Sequence, residues 1–248
     1  MKVFTHSDFL TEYAPEPAAE PGRLESIISA IRDEVDFEEA SPACEEDILA
    51  VHTKSLVREV TGMGLYSIAA LAAGAAMQTA VAGMETPSFG LIRPPGHHAS
   101  SNRCWGFCYF NNMAIALEHL RSSGLIKTAH VLDFDLHYGD GTFDILEPRG
   151  FVSIHNPRQS VRKDYLAEVA ARLDSIQVDV IAVSAGFDNH VDDWGRTLHT
   201  EDYREMGRMV HAACKRMGAG SFGLLEGGYN HDVLGINVRE FLKGLQGL

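Results

Sequence analysis

Cysteine, basic residues and long hydrophobic runs are scarce in this sequence of 248 residues, and each shortage excludes a class of protein. Four cysteines are too few for a disulfide scaffold. Lysine and arginine number 21 against 34 aspartates and glutamates, and the formal charge of −13 argues against nucleic-acid binding. No signal peptide precedes the first apolar stretch, and the Ala-rich segment 66–82 is too short and too polar to predict a membrane span. The cytoplasm is the expected compartment.

A linker rich in proline, glycine and serine is also missing, so residues 1–248 are expected to form one domain. Strands and helices are predicted to alternate along most of the chain. The predicted strands are 1–4, 89–92, 129–133, 151–155, 180–184 and 222–225, and the predicted helices are 23–33, 66–82, 113–120, 165–173, 202–217 and 232–245. Such alternation indicates an α/β fold with a parallel sheet covered by helices on both faces.

A cluster of acidic residues and histidine follows the predicted strand 129–133. Residues two apart on extended backbone share a face, so Asp133, Asp135 and His137 can converge on one point. Two carboxylates and an imidazole at such a point suit Zn²⁺ or a similar divalent ion. Taken alone, the cluster fits equally well a pair of capping aspartates with a stray histidine.

Three further predicted strands end in loops that carry chemically active side chains. Each loop by itself has an ordinary interpretation as a turn, a helix cap or a rigid loop. In a parallel sheet, however, the carboxyl ends of the strands meet at one edge, where ligands bind. The four loops are Arg93-Pro94-Pro95-Gly96-His97-His98-Ala99, the Asp133 to Asp140 cluster, Ala185-Gly186-Phe187-Asp188 and Glu226-Gly227-Gly228-Tyr229-Asn230. Together they predict one functional site.

These motifs, with Gly106-Phe107-Cys108-Tyr109-Phe110-Asn111-Asn112, match in order those of a known family. The chain resembles the zinc-dependent histone deacetylase superfamily, which includes the bacterial acetylpolyamine amidohydrolases. The resemblance covers nearly the whole chain. It implies a single three-layer α/β/α domain whose mostly parallel sheet has about eight strands.

The resemblance also implies a role for each motif residue. His98 is the expected general base and later acid, and Tyr229 the expected hydrogen-bond donor to the oxyanion. In full, it implies a metal site of Asp135, His137 and Asp188, a catalytic group of His97, His98, Asp133, Asp140 and Tyr229, and a substrate channel wall of Gly106 and Phe107. Asp133 would orient His97 and Asp140 would orient His98.

One catalytic metal ion is expected on the same basis, and a structural potassium ion is possible beside it. Zinc is the expected catalytic ion, and Fe²⁺ or Co²⁺ suits the same oxygen and nitrogen ligands. Relatives also hold a structural potassium ion, largely through backbone carbonyls. The matching positions here are Asp133, Asp135, His137, Ser153 and Ile154.

One segment departs from the family pattern. After Ser153-Ile154-His155, relatives continue into a long loop with an aromatic residue that faces Phe107, whereas here Asn156 to Ser160 leads almost at once to a helix. The second channel wall is therefore expected to be missing or supplied differently. The sequence is also compatible with a homo-oligomer in which a second subunit closes this gap.

Three functions are compatible with these residues. The first is a metal-dependent deacetylase acting on acetyl-lysine or on acetylated polyamines and similar small amines. The second is an arginase-like hydrolase with two metal ions, for which the tandem histidines would have no explanation. The third is a non-catalytic module that binds acetylated ligands, which is expected to lose a ligand, a histidine or the tyrosine, whereas this chain keeps all of them.

Overall fold

Seven strands and nine α-helices make up the fold in a computed structural model that describes residues 1–248. The strands are β1 (Lys2–Thr5), β2 (Asp36–Glu39), β3 (Ser88–Gly90), β4 (Ala129–Asp133), β5 (Val152–His155), β6 (Val180–Ala185) and β7 (Gly220–Leu225). The helices are α1 (Arg23–Ile31), α2 (Glu45–Leu49), α3 (Lys54–Gly62), α4 (Tyr66–Gly83), α5 (Asn112–Ser122), α6 (Asp140–Leu146), α7 (Arg162–Ser175), α8 (Thr200–Met217) and α9 (His231–Leu245).

All seven strands pair in parallel in one sheet of order β2-β1-β3-β7-β6-β4-β5. Helices α1, α7, α8 and α9 pack together as one layer, and α2 to α6 form the other. The predicted three-layer α/β/α arrangement with a parallel sheet is therefore confirmed. The sheet has seven strands, close to the eight implied by the resemblance.

The central strands are buried on both faces. Every residue of β4 and β6 is buried, in keeping with their nearly continuous apolar sequences. One hydrophobic cluster of 62 buried residues joins the two helix layers through the sheet. Helix α4 is apolar and long enough to be a membrane-span candidate, but two thirds of it is buried inside this core, so its composition fits a core helix.

Several elements were not predicted from the sequence. Strand β2 is polar and mostly exposed because it lies at the edge of the sheet, where only one neighbour contributes to its pairing. Helices α2 and α6 have only 5 and 7 residues, so neither carries a clear helical period. Helix α3 was also missed, although Thr53 caps its first turn by accepting a hydrogen bond from the Leu56 N–H.

Candidate metal centre and active site

Four neighbouring strands position the site. Strands β3, β7, β6 and β4 lie side by side in the sheet, and each is followed by one of the four loops singled out from the sequence. Because all the strands are parallel, the four loops leave the sheet at the same edge. Residues from opposite ends of the chain therefore meet there, as the sequence predicted.

Asp135, His137 and Asp188 come together as a potential metal site, with ligand atoms within 4.8 Å of one another. The His137 Nδ1 atom lies 3.2 Å from Asp135 Oδ1 and 3.0 Å from Asp188 Oδ2. Both aspartates are buried, whereas the His137 side chain is partly exposed. Two carboxylates and an imidazole are a donor set that suits zinc, and further coordination positions stay free for a water and a substrate.

The electrostatics of this trio also suit a cation. Hydrogen bonds to Asp135 and Asp188 raise the pKa of His137 to about 10, and burial together with the Asp135 charge raises the pKa of Asp188 to about 6. The negative charge gathered at this point contributes to both shifts, and it attracts a cation. Metal ligation would require His137 to be neutral.

Backbone groups hold the two aspartates in place. The Gly227 N–H donates to Asp135 Oδ2 at 2.8 Å, and the Leu136 N–H donates to Asp188 Oδ1 at 3.0 Å. The second oxygen of Asp188, Oδ2, is buried, and its polar neighbour is the His137 Nδ1 atom 3.0 Å away. A buried carboxylate oxygen that faces the other two ligand groups in this way suits a metal site.

The tandem histidines lie beside this trio, each paired with a carboxylate. The His97 Nδ1 atom is 3.2 Å from Asp133 Oδ2, and the His98 Nδ1 atom is 2.7 Å from Asp140 Oδ1. Each carboxylate accepts a hydrogen bond from the Nδ1–H group, so in a neutral ring the other nitrogen, Nε2, is the atom that can accept a proton.

The two imidazoles differ in their electrostatic surroundings, although their ring centres are only 4.1 Å apart. Burial favours the neutral form of His97, but the Asp135 and Asp133 charges outweigh it and raise the pKa of His97 well above its usual value. Burial and the charge of His97 lower the pKa of His98 to about 4, in spite of Asp140. A neutral His98 beside a charged His97 gives one proton acceptor and one fixed positive charge.

Tyr229 lies between two aromatic rings. Its ring stacks on that of Trp194 with centres 4.0 Å apart, and the Phe107 ring meets it edge to face at 6.1 Å. Burial and the Asp135 charge raise the pKa of Tyr229, so its hydroxyl keeps its proton and can donate a hydrogen bond. Gly106 lies against His98, where an added Cβ would be 2.5 Å from the imidazole Cδ2.

Arg23 in α1 supports the turn that carries Tyr229. Its guanidinium donates to the carbonyl oxygens of Glu226 at 2.5 Å and Gly228 at 2.8 Å, and it lies 5.4 Å from the Tyr229 ring. The side chain is fully buried. A lone arginine in a helix carries no sequence signal of where its side chain points, so this contact could not be predicted.

Two tryptophans at the site were not recognised from the sequence. Trp105 donates its indole N–H to Asp140, and Trp194 stacks on Tyr229 and meets His137 edge to face at 5.9 Å. Their only sequence signal is position: Trp105 directly precedes Gly106-Phe107, and Trp194 lies six residues after Asp188. Both are about half exposed, so they form a rim around the site.

The residues matched to a potassium site lie where β4 and β5 pair. The Asp133 carbonyl accepts a hydrogen bond from Asn156 Nδ2 at 3.3 Å, and Ser153 Oγ bonds to His130 Nδ1 at 2.8 Å. Asp135, His137 and Ile154 also lie in this part of the chain, after β4 or within β5. Two of the oxygen groups matched to this ion thus have hydrogen-bond partners within the protein.

A cavity of about 440 Å³ opens beside Asp135 and His137, on the side of the shortened segment 156–160. Residues 156–160 and Tyr138 line it on one side, and Asn189, Gly195 and Thr197 line it as well. A larger cavity of about 540 Å³ lies between α4 and the start of α2, and none of the predicted site residues line it. Of these two cavities, only the smaller one borders the metal trio, through Asp135 and His137.

Comparison with known proteins agrees with the geometry. The histone deacetylase domain model matches residues 17–161 and 154–245. A probable deacetylase of Methanothermobacter thermautotrophicus is 32% identical, over 91% of this chain and 85% of its own length. A histone deacetylase-like amidohydrolase of Pseudomonas aeruginosa is 30% identical, over 90% of this chain and 75% of its own length.

Two further relatives extend the comparison. An acetylpolyamine amidohydrolase of Mycoplana ramosa is 32% identical over 64% of this chain and 57% of its own length. The crystal structure of the HDA15 HD domain superposes with a TM-score of 0.86 over 99% of this chain and 89% of that one, at 23% identity, which shows the shared fold. With the family model matching nearly the whole chain, this protein belongs to the histone deacetylase family.

Proposed function

We propose that residues 1–248 act as one catalytic domain, a metal-dependent amidohydrolase that removes acetyl groups from amines. The observation that carries the proposal is the arrangement at the sheet edge: the trio Asp135, His137 and Asp188 lies next to the His98–Asp140 pair. Amide hydrolysis needs a polarised carbonyl, an activated water, a proton for the leaving amine and a donor for the oxyanion. This set of residues supplies each of them once a metal is bound.

Asp135, His137 and Asp188 would hold the metal, which when bound would polarise the amide carbonyl and increase the acidity of the attacking water. His98 Nε2 takes the proton from that water, while Asp140 holds the opposite ring nitrogen and stabilises the charged imidazole. The same nitrogen then gives its proton to the leaving amine.

The roles of the remaining residues follow from charge and hydrogen bonding. His97, paired with Asp133, contributes a positive charge. This charge orients the water and stabilises the negative charge that develops during the reaction. Tyr229 donates its hydroxyl proton to the carbonyl oxygen as negative charge develops there, which is the task of an oxyanion donor. Gly106 and Phe107 line the path of the substrate chain.

We propose zinc as the metal, since two carboxylates and one histidine with free positions are typical of a catalytic zinc site. Fe²⁺ and Co²⁺ suit the same ligands, so the metal is tested by reconstitution of the chelated protein with each ion. Potassium at Asp133, Asp135, His137, Ser153 and Ile154 is a separate proposal. It is tested by comparing turnover and thermal stability in potassium and in tetramethylammonium salts.

Small acetylated amines are the substrates that we favour over acetyl-lysine in proteins. Three acetylpolyamine amidohydrolases from Mycoplana ramosa and Pseudomonas aeruginosa are among the relatives, each 30–32% identical over 64% of this chain. All four cysteines are free thiols, which fits a reducing compartment, and we propose the cytoplasm.

An arginase-like site with two metal ions is the second candidate, because a further trio of potential ligands exists. His97, Cys108 and Glu226 are buried with ligand atoms within 4.8 Å of one another. However, His97 is paired with Asp133, and Glu226 Oε2 already accepts the N–H groups of Gly96 and His97. These contacts favour a structural role for the trio. Elemental analysis decides, since one transition-metal ion per chain is expected and two would support the binuclear site.

The deciding experiment is turnover by the zinc-loaded protein. We expect hydrolysis of acetylputrescine and acetylspermidine, measured as released acetate, beside a fluorogenic acetyl-lysine amide as the protein-like substrate. Activity should disappear on chelation and return with zinc. Zinc binding without turnover of any acetyl amide would instead support the non-catalytic binding module.

A further inference from the structure

Trp105 contacts both members of the His98–Asp140 pair. Its indole ring lies over the His98 imidazole with ring centres 4.0 Å apart and a tilt of 36°. Its Nε1–H donates to Asp140 Oδ2 at 3.1 Å, while the other carboxylate oxygen, Oδ1, accepts from His98. Trp105 is 52% exposed and His98 only 4%, so the indole covers the imidazole from solvent.

The local backbone fixes the position of this indole. The Cys108 N–H donates to the Trp105 carbonyl at 3.0 Å, which closes a tight turn. Gly106 and Phe107 inside the turn both have left-handed backbone angles, with φ of +60° and +66°. A non-glycine residue such as Phe107 adopts this conformation only when its surroundings impose it. The turn therefore holds Trp105 in a defined place over His98.

Asp140 needs such a contact. Its side chain is 28% exposed, so with one hydrogen bond alone the carboxylate could rotate and water could compete for His98. Arg103 is the other cation nearby, but its Nη2 atom is 3.9 Å from Asp140 Oδ2 and its side chain is 70% exposed. Water screens a pair with that geometry, so it fixes no orientation. The indole N–H is a directional donor at hydrogen-bond distance.

We propose that Trp105 is a positioning residue for the hydrolysis. Trp105 holds Asp140 Oδ2, the oxygen that does not contact His98, and it excludes water from the imidazole–carboxylate hydrogen bond. In this way it keeps His98 Nε2 directed at the metal centre. The proposal rests on the proposed function, since it assigns to Trp105 an effect exerted through Asp140 and His98. A simple channel wall, by contrast, would act on the substrate and not on this pair.

The first test is Trp105→Phe, which keeps an aromatic ring over His98 and removes the N–H donor. We expect kcat to fall about 10-fold, in the range typical of losing a supporting hydrogen bond, with KM changed less than about twofold. Arg103→Ala is the matched control, and it should change kcat by less than about twofold because the pair is exposed. A rise in KM with unchanged kcat for Trp105→Phe would show a substrate wall and overturn the proposal.

A double-mutant cycle with Asp140→Asn tests whether the effect passes through Asp140. The asparagine must turn its oxygen to the His98 N–H, so its NH₂ group faces the indole N–H and the hydrogen bond is lost. In this background Trp105→Phe should change kcat by less than about twofold, because the contact is already broken. Full additivity of the two losses would contradict the proposal.

A structural readout separates this inference from the proposed function. The chain has two tryptophans, so two indole N–H signals are expected in a ¹H–¹⁵N spectrum, and Trp105→Phe identifies the one from Trp105. Asp140→Asn should shift that signal and speed its exchange with water, while leaving the Trp194 signal in place. No response would disprove the hydrogen bond whatever the kinetics show. If instead the signal responds but His98→Ala hydrolyses substrate at the parent rate, the proposed function fails and not the contact.

Discussion

Single residues at this site act as donors and acceptors whose protonation is set by their neighbours. Tyr229 illustrates this, because burial and the Asp135 charge keep its hydroxyl protonated, while Trp194 and Phe107 fix its ring. The motif Glu226-Gly227-Gly228-Tyr229 identified the tyrosine from the sequence. Its stacking partner could not be identified, since Trp194 reaches it from a different loop and no sequence period connects the two.

Replacing Tyr229 by Phe tests the proposed oxyanion donor. The ring and its stacking are retained, so we expect the fold and zinc affinity to stay unchanged while kcat falls about 10²–10³-fold, the loss typical of one oxyanion donor. Circular dichroism and zinc titration provide the controls. A phenylalanine variant that turns over at close to the parent rate would exclude this role for the hydroxyl.

At the scale of elements, β6 and its loop show why glycine is needed beside the proposed metal ligands. A Cβ atom on Gly186 would lie 2.0 Å from Asp135 Oδ2, so this position has no room for a side chain. We expect Gly186→Ala to displace Asp135 and to weaken zinc binding about 10–100-fold, as other perturbations of ligand support do.

Competition with a chromogenic chelator measures this change in affinity. Gly62→Ala is the matched control, since an added Cβ at Gly62 meets nothing within 4 Å, and it should bind zinc like the parent. Equal zinc affinity of the parent and Gly186→Ala would show that the loop after β6 moves freely and does not position Asp135.

Elements with a clear apolar pattern in the sequence were predictable. Elements that are recognisable only from their contacts with the rest of the fold were not. The sequence predicts strand β4 at 129–133, and the structure has it at the same residues. Its short apolar run is typical of a strand buried on both faces, as every residue of β4 is. Strand β2, with the sequence Asp-Phe-Glu-Glu, lacks such a run and is recognisable only from its pairing with β1. The turn that places Trp105 depends likewise on a left-handed Phe107, which no local preference predicts.

On the scale of the whole molecule, buried hydrogen bonds link distant segments and make stability depend on pH. His52, in the loop between α2 and α3, donates from Nδ1 to the Ser100 carbonyl at 3.0 Å and accepts the Asn111 N–H at Nε2. Protonation would place a second N–H against that of Asn111. Burial, the largest cause, and the Arg149 charge lower the pKa of His52 to about 4.

The sign of the pH effect follows from this shift. Below the ordinary histidine pKa of about 6.5, the unfolded chain binds a proton that the folded protein does not. Stability contributed by His52 is therefore complete above pH 6.5 and is lost as the pH falls towards 4. In His52→Gln the amide can make both hydrogen bonds without titrating. We expect the stability of the parent relative to this variant to decrease by roughly 3 kcal/mol between pH 7 and pH 4, at about 1.4 kcal/mol per pKa unit.

Urea unfolding of both proteins at pH 7, 6, 5 and 4 measures that difference. The other titratable groups are the same in the two proteins, so their contributions to the free energy of unfolding cancel. Phe110, whose ring centre is 5.4 Å from that of His52, serves to check that the packing is unchanged in the variant. A difference that stays constant across the range would mean that the pKa of His52 is the same in the folded and the unfolded protein, which would contradict the lowered value.

Substrate access is also a property of the whole molecule, because it depends on which elements enclose the site. Phe107 and Trp194 flank Tyr229, whereas the side of residues 156–160 opens into the cavity of about 440 Å³. Burial of apolar area contributes about 25 cal/mol per Å², so a missing aromatic wall weakens binding of an alkyl chain by roughly 1 kcal/mol. We therefore expect a high KM for simple acetyl-lysine substrates and tolerance of bulkier acyl groups.

The measurement is kcat/KM across acetyl, trifluoroacetyl and longer acyl amides of one amine, together with sedimentation at two protein concentrations. An open cleft should give values that differ little along the acyl series, because nothing on the side of residues 156–160 excludes the longer chains. A dimer that prefers the acetyl group would indicate that a second subunit closes the gap. Steep preference for the acetyl substrate by a monomer would contradict the open cleft, since enclosure on both sides of the chain would then come from this subunit alone.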